Sequence, residues 1–253
     1  MKLTFLGTGT SQGIPVIACD CRVCTSDDPK DDRLRASVML EADGKVFVID
    51  TGPDFRQQML RSDVRRLDAV VFTHPHKDHI AGMDDIRAFN FRQKADIDIY
   101  ANSMTLKGLE REFYYVFEEE KYPGVPGVNV HIITEEPFLV DGVEFIPIPV
   151  LHYRMPVLGF RVGDIAYITD ANFISEESKA KLKGLKVLVL NALRRTSHLS
   201  HFTLDQAVEL AQELGAEQTY FTHMSHLLGR HEEVALELPA GIQLAYDGLS
   251  VEV

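Results

Sequence analysis

The chain has 253 residues, 45% of them hydrophobic, with 26 basic against 38 acidic side chains and a formal net charge of −12. That length supports one large domain with its own core, so residues 1–253 are read as a single domain. The charge argues against a partner gripped mainly through a phosphate backbone, where lysine and arginine displace counterions. A small phosphorylated ligand stays open, because a metal ion can supply local positive charge. The opening MKLTFLGTGTSQG lacks the apolar segment and cleavage site of a signal peptide, and no stretch nears the ~20 apolar residues of a membrane span. A cytoplasmic location is therefore expected.

In chain order, Lys2 to Leu6 alternates like a strand and runs into the glycine-rich GTGTSQG loop. Ala36 to Glu41 and Val46 to Ile49 flank ADGK, a hairpin turn signal. DTGP and a short helix around Phe55 to Arg61 follow. Leu67 to Phe72 reads as a buried strand, and a helix is predicted from about Asp78 to Phe91. After the strand DIDIYA, a helix is predicted over Ser103 to Phe117, ended by YPGVPG. VNVHII, VEFIPIPV, GFRVG and IAYIT form a strand-rich block. Helix returns at Glu176 to Leu182, strand at VLVLN, helix at Leu204 to Leu214 and strand at TYFTH. A helix near Glu232 to Leu238 and two short strands close the chain. Thr203 and Gln206 have capping-box spacing. Two sheets packed face to face with helices outside fit this order, although periodicity alone licenses only α/β or α+β.

Chemistry concentrates in FTHPHKDHIAG at 72 to 82. His74 and His76 are two apart at a strand end, where alternate side chains point the same way. Asp78 and His79 follow where the chain turns toward helix. Imidazole and carboxylate together suit zinc, manganese, iron or nickel. His152, Asp170 and His223 each end an apolar strand. With the first four they make seven metal-capable residues, enough for two metals sharing a bridging carboxylate. The three cysteines, Cys19, Cys21 and Cys24, cannot close pairwise as disulfides, and the compact C-x-C-x-x-C spacing suits a metal.

This ordered set resembles the metallo-β-lactamase-fold hydrolases. FLGTGTSQG, VIDTGPD, THPHKDHIAG, ITDAN and FTHMSH stand in the order of that family and cover nearly the whole chain. The resemblance implies an α+β, four-layer αββα sandwich with its site at one edge of the two sheets. It implies that His74, His76 and His152 hold one metal, that Asp78, His79 and His223 hold the second, and that Asp170 bridges them. Asp50 then corresponds to a supporting aspartate that orients ligands.

Two features select a branch. ACDCRVC together with His226 resembles the Cys3His structural zinc of the phosphoribosyl cyclic phosphate phosphodiesterases of the carbon–phosphorus lyase pathway. His226 as fourth ligand rests on that resemblance. His201-Phe202-Thr203 resembles the H-x-T motif of the phosphodiesterase branch, and His201 precedes a helix N-terminus, where N–H groups attract anions. His198 is left as either a solvent-facing neighbour or a phosphate contact.

The expected function is a metal-dependent phosphodiesterase acting on a small cyclic phosphodiester such as phosphoribosyl 1,2-cyclic phosphate. A hydroxide shared by the two metals attacks phosphorus, and protonated His201 serves the leaving oxygen. His201 and Asp78 are the candidate catalytic residues. Manganese or zinc, with nickel or iron as further options, is expected at the pair, and zinc at the cysteines. Alternatives are a nuclease acting on short RNA or DNA ends, a thioester or lactone hydrolase, and a non-catalytic metal-binding interaction protein. No basic or glycine- and proline-rich insertion resembles the arm of the transfer-RNA-processing nucleases; YPGVPG is short. No long nucleic acid and no membrane are expected as partners. A homodimer is possible for this branch, though no apolar stripe specifies one. By position, residues 115 to 127 and 153 to 158 are candidate lids.

Overall fold

A computed structural model describes residues 1–253. The first sheet grows from its apolar alternations. β1 (Lys2–Gly7) pairs antiparallel with β2 (Ser37–Ala42), which turns through Asp43-Gly44 into β3 (Lys45–Ile49). Asp43 and Gly44 both have positive φ, the backbone a tight two-residue hairpin demands. α1 (Phe55–Arg61), β4 (Ala69–Val71), α2 (Lys77–Ile80), a 3-10 turn at Met83–Ile86 and α3 (Arg87–Gln93) follow. Then come β5 (Ile97–Ala101), α4 (Ser103–Glu112), α5 (Tyr114–Phe117) and β6 (Val128–Ile132).

The second half contributes β7 (Phe138–Val140), β8 (Val143–His152), β9 (Met155–Val162), β10 (Ile165–Ile168) and β11 (Phe173–Ile174). α6 (Glu176–Lys181), β12 (Val187–Asn191), α7 (Leu204–Leu214), β13 (Gln218–Thr222), α8 (His231–Ala235), β14 (Ile242–Leu244) and β15 (Ser250–Glu252) complete it. The first sheet runs β15-β1-β2-β3-β4-β5-β6 and the second β11-β8-β9-β10-β12-β13-β14, with β7 beside β8. The capping box of Thr203 and Gln206 is present at the start of α7.

Three apolar clusters define four layers. Phe5, Phe47, Phe145 and Phe160 belong to the cluster between the sheets. Phe55, Ile86, Phe89 and Leu109 pack helices against the first sheet, and Leu182, Leu204, Leu210 and Val234 pack helices against the second. This is the αββα sandwich expected from the sequence.

Helices depart from expectation at two places. The helix expected over 78–91 is broken, because its backbone groups bond elsewhere: Thr51 N–H donates to His79 C=O and Gly82 N–H to Thr51 C=O, both at 2.8 Å. Gly82 permits that approach, since a Cβ there would lie 2.2 Å from Gly52 O. The helix expected over 103–117 breaks at Phe113, whose φ of −124° leaves the helical region while its ring is buried. The last helix covers His231–Ala235 rather than 232–238. The short strands β7 and β11 carry too few residues to show a period.

β3, β4 and β5 run parallel, as do β10, β12 and β13. The carboxyl ends of both sets therefore open on one edge of the sandwich. No helix is long and apolar enough to cross a membrane.

Candidate metal centre

His76 caps α2 and Asp78 and His79 lie in its single turn, while the other residues of the histidine–aspartate cluster leave strand ends at that edge. Asp50 follows β3, His74 follows β4, His152 ends β8, Asp170 lies two residues past β10 and His223 follows β13. Asp50, Asp170 and His223 have φ of 66°, 55° and 55°. Such left-handed backbone is uncommon for side-chain-bearing residues and clusters at functional sites. Gly52 lets the β3 loop touch the histidine loop, because a Cβ there would lie 2.2 Å from Asp78 O.

Asp170 is the centre of the arrangement and is nearly inaccessible to solvent. Its Oδ1 lies 3.0 Å from His223 Nε2 and 3.4 Å from His79 Nε2. Its Oδ2 lies 3.6 Å from His74 Nε2 and 4.0 Å from His152 Nε2. Asp78 Oδ2 faces the first pair, 3.3 Å from His79 Nε2 and 3.5 Å from His223 Nε2. His76 presents Nδ1, 3.1 Å from His74 Nε2. One group of donors is thus Asp78, His79, Asp170 and His223; another is His74, His76 and Asp170. His201 joins His152 and Asp170 in a third.

These donors fit divalent metal. The Nε2 atoms of His79 and His223 are buried and make no hydrogen bond, although carboxylate oxygens stand within 3.5 Å. They are close to the carboxylates without being aligned on them, as donors converging on a shared ion are.

The far ring nitrogens fix the orientation. His79 Nδ1–H donates to Asp50 Oδ2 at 2.7 Å, and His152 Nδ1–H donates to Ser200 C=O at 2.9 Å. His74 Nδ1 bonds Thr73 Oγ1 at 2.9 Å, and that hydroxyl donates onward to Asp50 Oδ2 at 2.7 Å. Asp50 therefore steers one histidine in each of the first two donor groups, His79 directly and His74 through Thr73. Such outer partners set tautomer and basicity of metal-binding imidazoles.

Charge is distributed unevenly. Burial alone pushes His223 down, but Asp170 and then Asp78 carry it up to about 9. His79 rises likewise, against burial, through Asp78, Asp170 and Asp50. Burial raises Asp170, but His223 and His79 hold it well below the carboxylate range. Burial first, then His79, depresses His74, and burial, then His152, depresses His76. The aspartates thus draw positive charge toward one side of the cluster.

His201 stacks on His223 with centroids 4.8 Å apart and lies 4.6 Å from His152. Burial, then His223, pushes it down to about 3. His198 lies outside the donor groups. Its ring is 5.2 Å from that of His201, and its Nδ1 faces Ser200 N and Oγ, each at 3.3 Å.

A second cluster lies in the irregular segment after β1. His226 Nδ1 is 3.3, 3.4 and 3.5 Å from the sulfurs of Cys19, Cys21 and Cys24. Tetrahedral zinc with Zn–S near 2.3 Å and Zn–N near 2.0 Å sets such edges at about 3.5 Å. Cys21 is lowered to about 6, first by the Cys24 backbone N–H, while burial raises Cys24 to about 11.

Residues 45–224 match the β-lactamase superfamily domain. The chain belongs to this superfamily. A solved diphosphatase of the PhnP family superposes with a TM-score of 0.94 at 46% identity, covering 100% of this chain and 97% of that one. An octanoyltransferase of Porphyromonas gingivalis is 38% identical over 252 residues, 98% of this chain but 51% of that protein. A ribonuclease Z of Methanococcus maripaludis is 28% identical over 169 residues, 63% of this chain and 48% of that protein. The chain spans about half the length of the curated relatives it matches.

Within this superfamily frame, the sequence reading named Asp50 but missed the other supporting groups. Thr73 sits beside His74 in the quoted motif, so adjacency was its only signal. Asn191 clamps the residue after Asp170, accepting Ala171 N–H at 2.9 Å and donating to Ala171 C=O at 3.0 Å. Ser200 acts through its carbonyl, which no side-chain pattern can reveal.

Proposed function

We propose that this chain hydrolyses a small phosphodiester, a cyclic sugar phosphate such as 5-phosphoribosyl 1,2-cyclic phosphate being the substrate that fits best. It is a metal-dependent hydrolase working as one unit over residues 1–253. His74, His76 and His152 hold one ion, Asp78, His79 and His223 the other, and Asp170 stands between them. Manganese or zinc suits this mixed imidazole and carboxylate set. Cys19, Cys21, Cys24 and His226 hold a structural zinc. The observation that carries the reading is Asp170, whose two oxygens face separate histidine sets.

Divalent ions bound there supply Lewis acidity toward a phosphoryl oxygen and make water a nucleophile near neutral pH. The chain's own residues do the rest. Asp50 and Thr73 hold the rings of His79 and His74 against rotation. Ser200 fixes the tautomer of His152. His201, at the rim of the cluster, offers a ring N–H to the leaving oxygen, and an anionic substrate drawn against it raises its proton affinity. Asp78 would serve as a metal ligand and, with Asp170, supplies the negative charge facing His79 and His223. The close likeness to a PhnP-family diphosphatase supports a phosphorus centre, and the ribonuclease Z relative keeps an RNA end as the second reading.

The deciding experiment offers manganese-loaded protein the cyclic sugar phosphate beside a short single-stranded RNA. Chelator-sensitive turnover of the cyclic ester alone is expected. Cleavage of the RNA alone makes the protein a nuclease, and inactivity on both removes the phosphodiester reading.

A further inference from the structure

β8 and β9 are joined by only two residues, Tyr153 and Arg154, between the paired His152 and Met155. Tyr153 has φ of 58°. A two-residue hairpin with positive φ at its first loop position selects glycine, asparagine or aspartate, and a bulky aromatic there is an outlier. Packing does not explain the choice, since Tyr153 is 44% exposed. The conformation is latched to the central carboxylate loop. Asn172, two residues beyond Asp170, accepts Tyr153 N–H at 2.6 Å, and its own N–H donates to Leu151 C=O at 2.9 Å.

Arg154 lies with its guanidinium 5.1 Å from the Tyr153 ring centroid and makes no ion pair or hydrogen bond. Other cations beside the site are committed. Lys77 pairs with Glu112, Arg195 pairs with Glu237 at 2.7 Å, and Arg194 donates to the carbonyls of Thr196 and Ser197 at 3.1 and 2.7 Å. In a chain of net charge −12, a free guanidinium two residues from His152 is a place for an anion other than the reacting phosphate. Guanidinium matches phosphate geometry bidentately.

We propose that the Tyr153–Arg154 turn is the specificity element of the site and binds a phosphomonoester carried on the sugar part of the phosphodiester substrate. Arg154 holds that second phosphate, and the strained Tyr153 turn, latched to Asn172, fixes where Arg154 leaves the hairpin two residues after His152. The inference rests on the phosphodiesterase reading above.

Steady-state kinetics on the metal-loaded protein test it, using 5-phosphoribosyl 1,2-cyclic phosphate, the same cyclic ester without its 5-phosphate, and bis(p-nitrophenyl) phosphate. Arg154→Gln is expected to raise KM for the phosphorylated ester about 10- to 100-fold, the size of a lost charge-assisted contact. KM for the other two substrates and kcat for all three stay unchanged. Tyr153→Gly, which relieves the backbone, is expected to keep or raise the thermal midpoint while raising KM for the phosphorylated ester. Arg154→Gln with an equal KM change on the two cyclic esters overturns the proposal. So does Tyr153→Gly that lowers the thermal midpoint and leaves KM alone. If the wild-type protein hydrolyses only bis(p-nitrophenyl) phosphate, the cyclic-ester reading fails by itself. Ribose 5-phosphate inhibition then decides: loss of inhibition in Arg154→Gln supports the anion site, and equal inhibition rejects it.

Discussion

The two metal-capable clusters lie on one chain and are built on opposite plans. The histidine–aspartate cluster hangs from strand ends, and His74, His79, Asp170 and His223 are all but inaccessible. Asp50, Thr73, Ser200 and Asn191 brace it from behind. The cysteine cluster hangs from a loop without a strand, its four donors are half-exposed, and three of them fall within six residues. Its internal bonds are weak sulfur contacts, Val16 N–H to Cys24 Sγ at 3.3 Å and Cys24 N–H to Cys21 Sγ at 3.5 Å. The difference teaches a division of labour. In the first cluster side-chain and carbonyl partners hold the ligand rings from behind; in the second backbone N–H groups meet the sulfurs.

The largest expected effect comes from removing the carboxylate that both histidine sets share. Asp170→Ala is expected to lose at least about 100-fold in activity, with metal content falling to about one ion per chain, held by the cysteines. Elemental analysis beside turnover checks this. Retention of the full metal load breaks the view that Asp170 links two sites. A smaller effect sharpens the contrast in bracing. Thr73→Val keeps shape but cuts the link from Asp50 to His74, and metal affinity at the histidine cluster is expected to fall about 10-fold. Thr25→Val, which removes an exposed hydroxyl bond to Cys21 C=O, is expected to change nothing. Chelator titration of both variants measures the pair; equal losses mean that the outer bonds do not distinguish the clusters.

How much of this was legible in the sequence follows the same division. His74, His76, Asp78 and His79 announce themselves because four donors in six residues have no common structural use. His152, Asp170 and His223 needed their strand-end positions, which the apolar runs VEFIPIPV, IAYIT and TYFT provide. The convergence of His226 on cysteines some 200 positions earlier came only from resemblance, and the fold explains it: Gly9 bridges Met224, so the β1 and β13 loops meet. The broken helix after His76 was illegible because its cause is long-range. Thr51 captures backbone groups that local propensity assigns to the helix. Tyr153 was hidden for the opposite reason, since neither loop position, Tyr153 nor Arg154, is a turn-favouring residue.

The smallest expected effect concerns protons. In metal-stripped protein His223 titrates near 9 instead of its ordinary value near 6.5, because Asp170 and Asp78 outweigh burial. The folded state then holds a proton that the unfolded chain gives up earlier. That contribution is complete below about pH 6.5 and is lost as pH rises through about 9. His231 acts in the opposite sense. Burial, then Arg33, lowers it to about 4, so stability falls as pH drops from about 6.5 toward 4. The metal-stripped protein should therefore be most stable near pH 6.5. Its thermal midpoint should drop by a few degrees, about 1 kcal/mol or more, by pH 9.5. With metal bound, His223 has no proton to lose, so the alkaline limb should flatten while the acidic limb from His231 stays. Parallel alkaline decline in both forms would mean that His223 shares nothing with the bound ion.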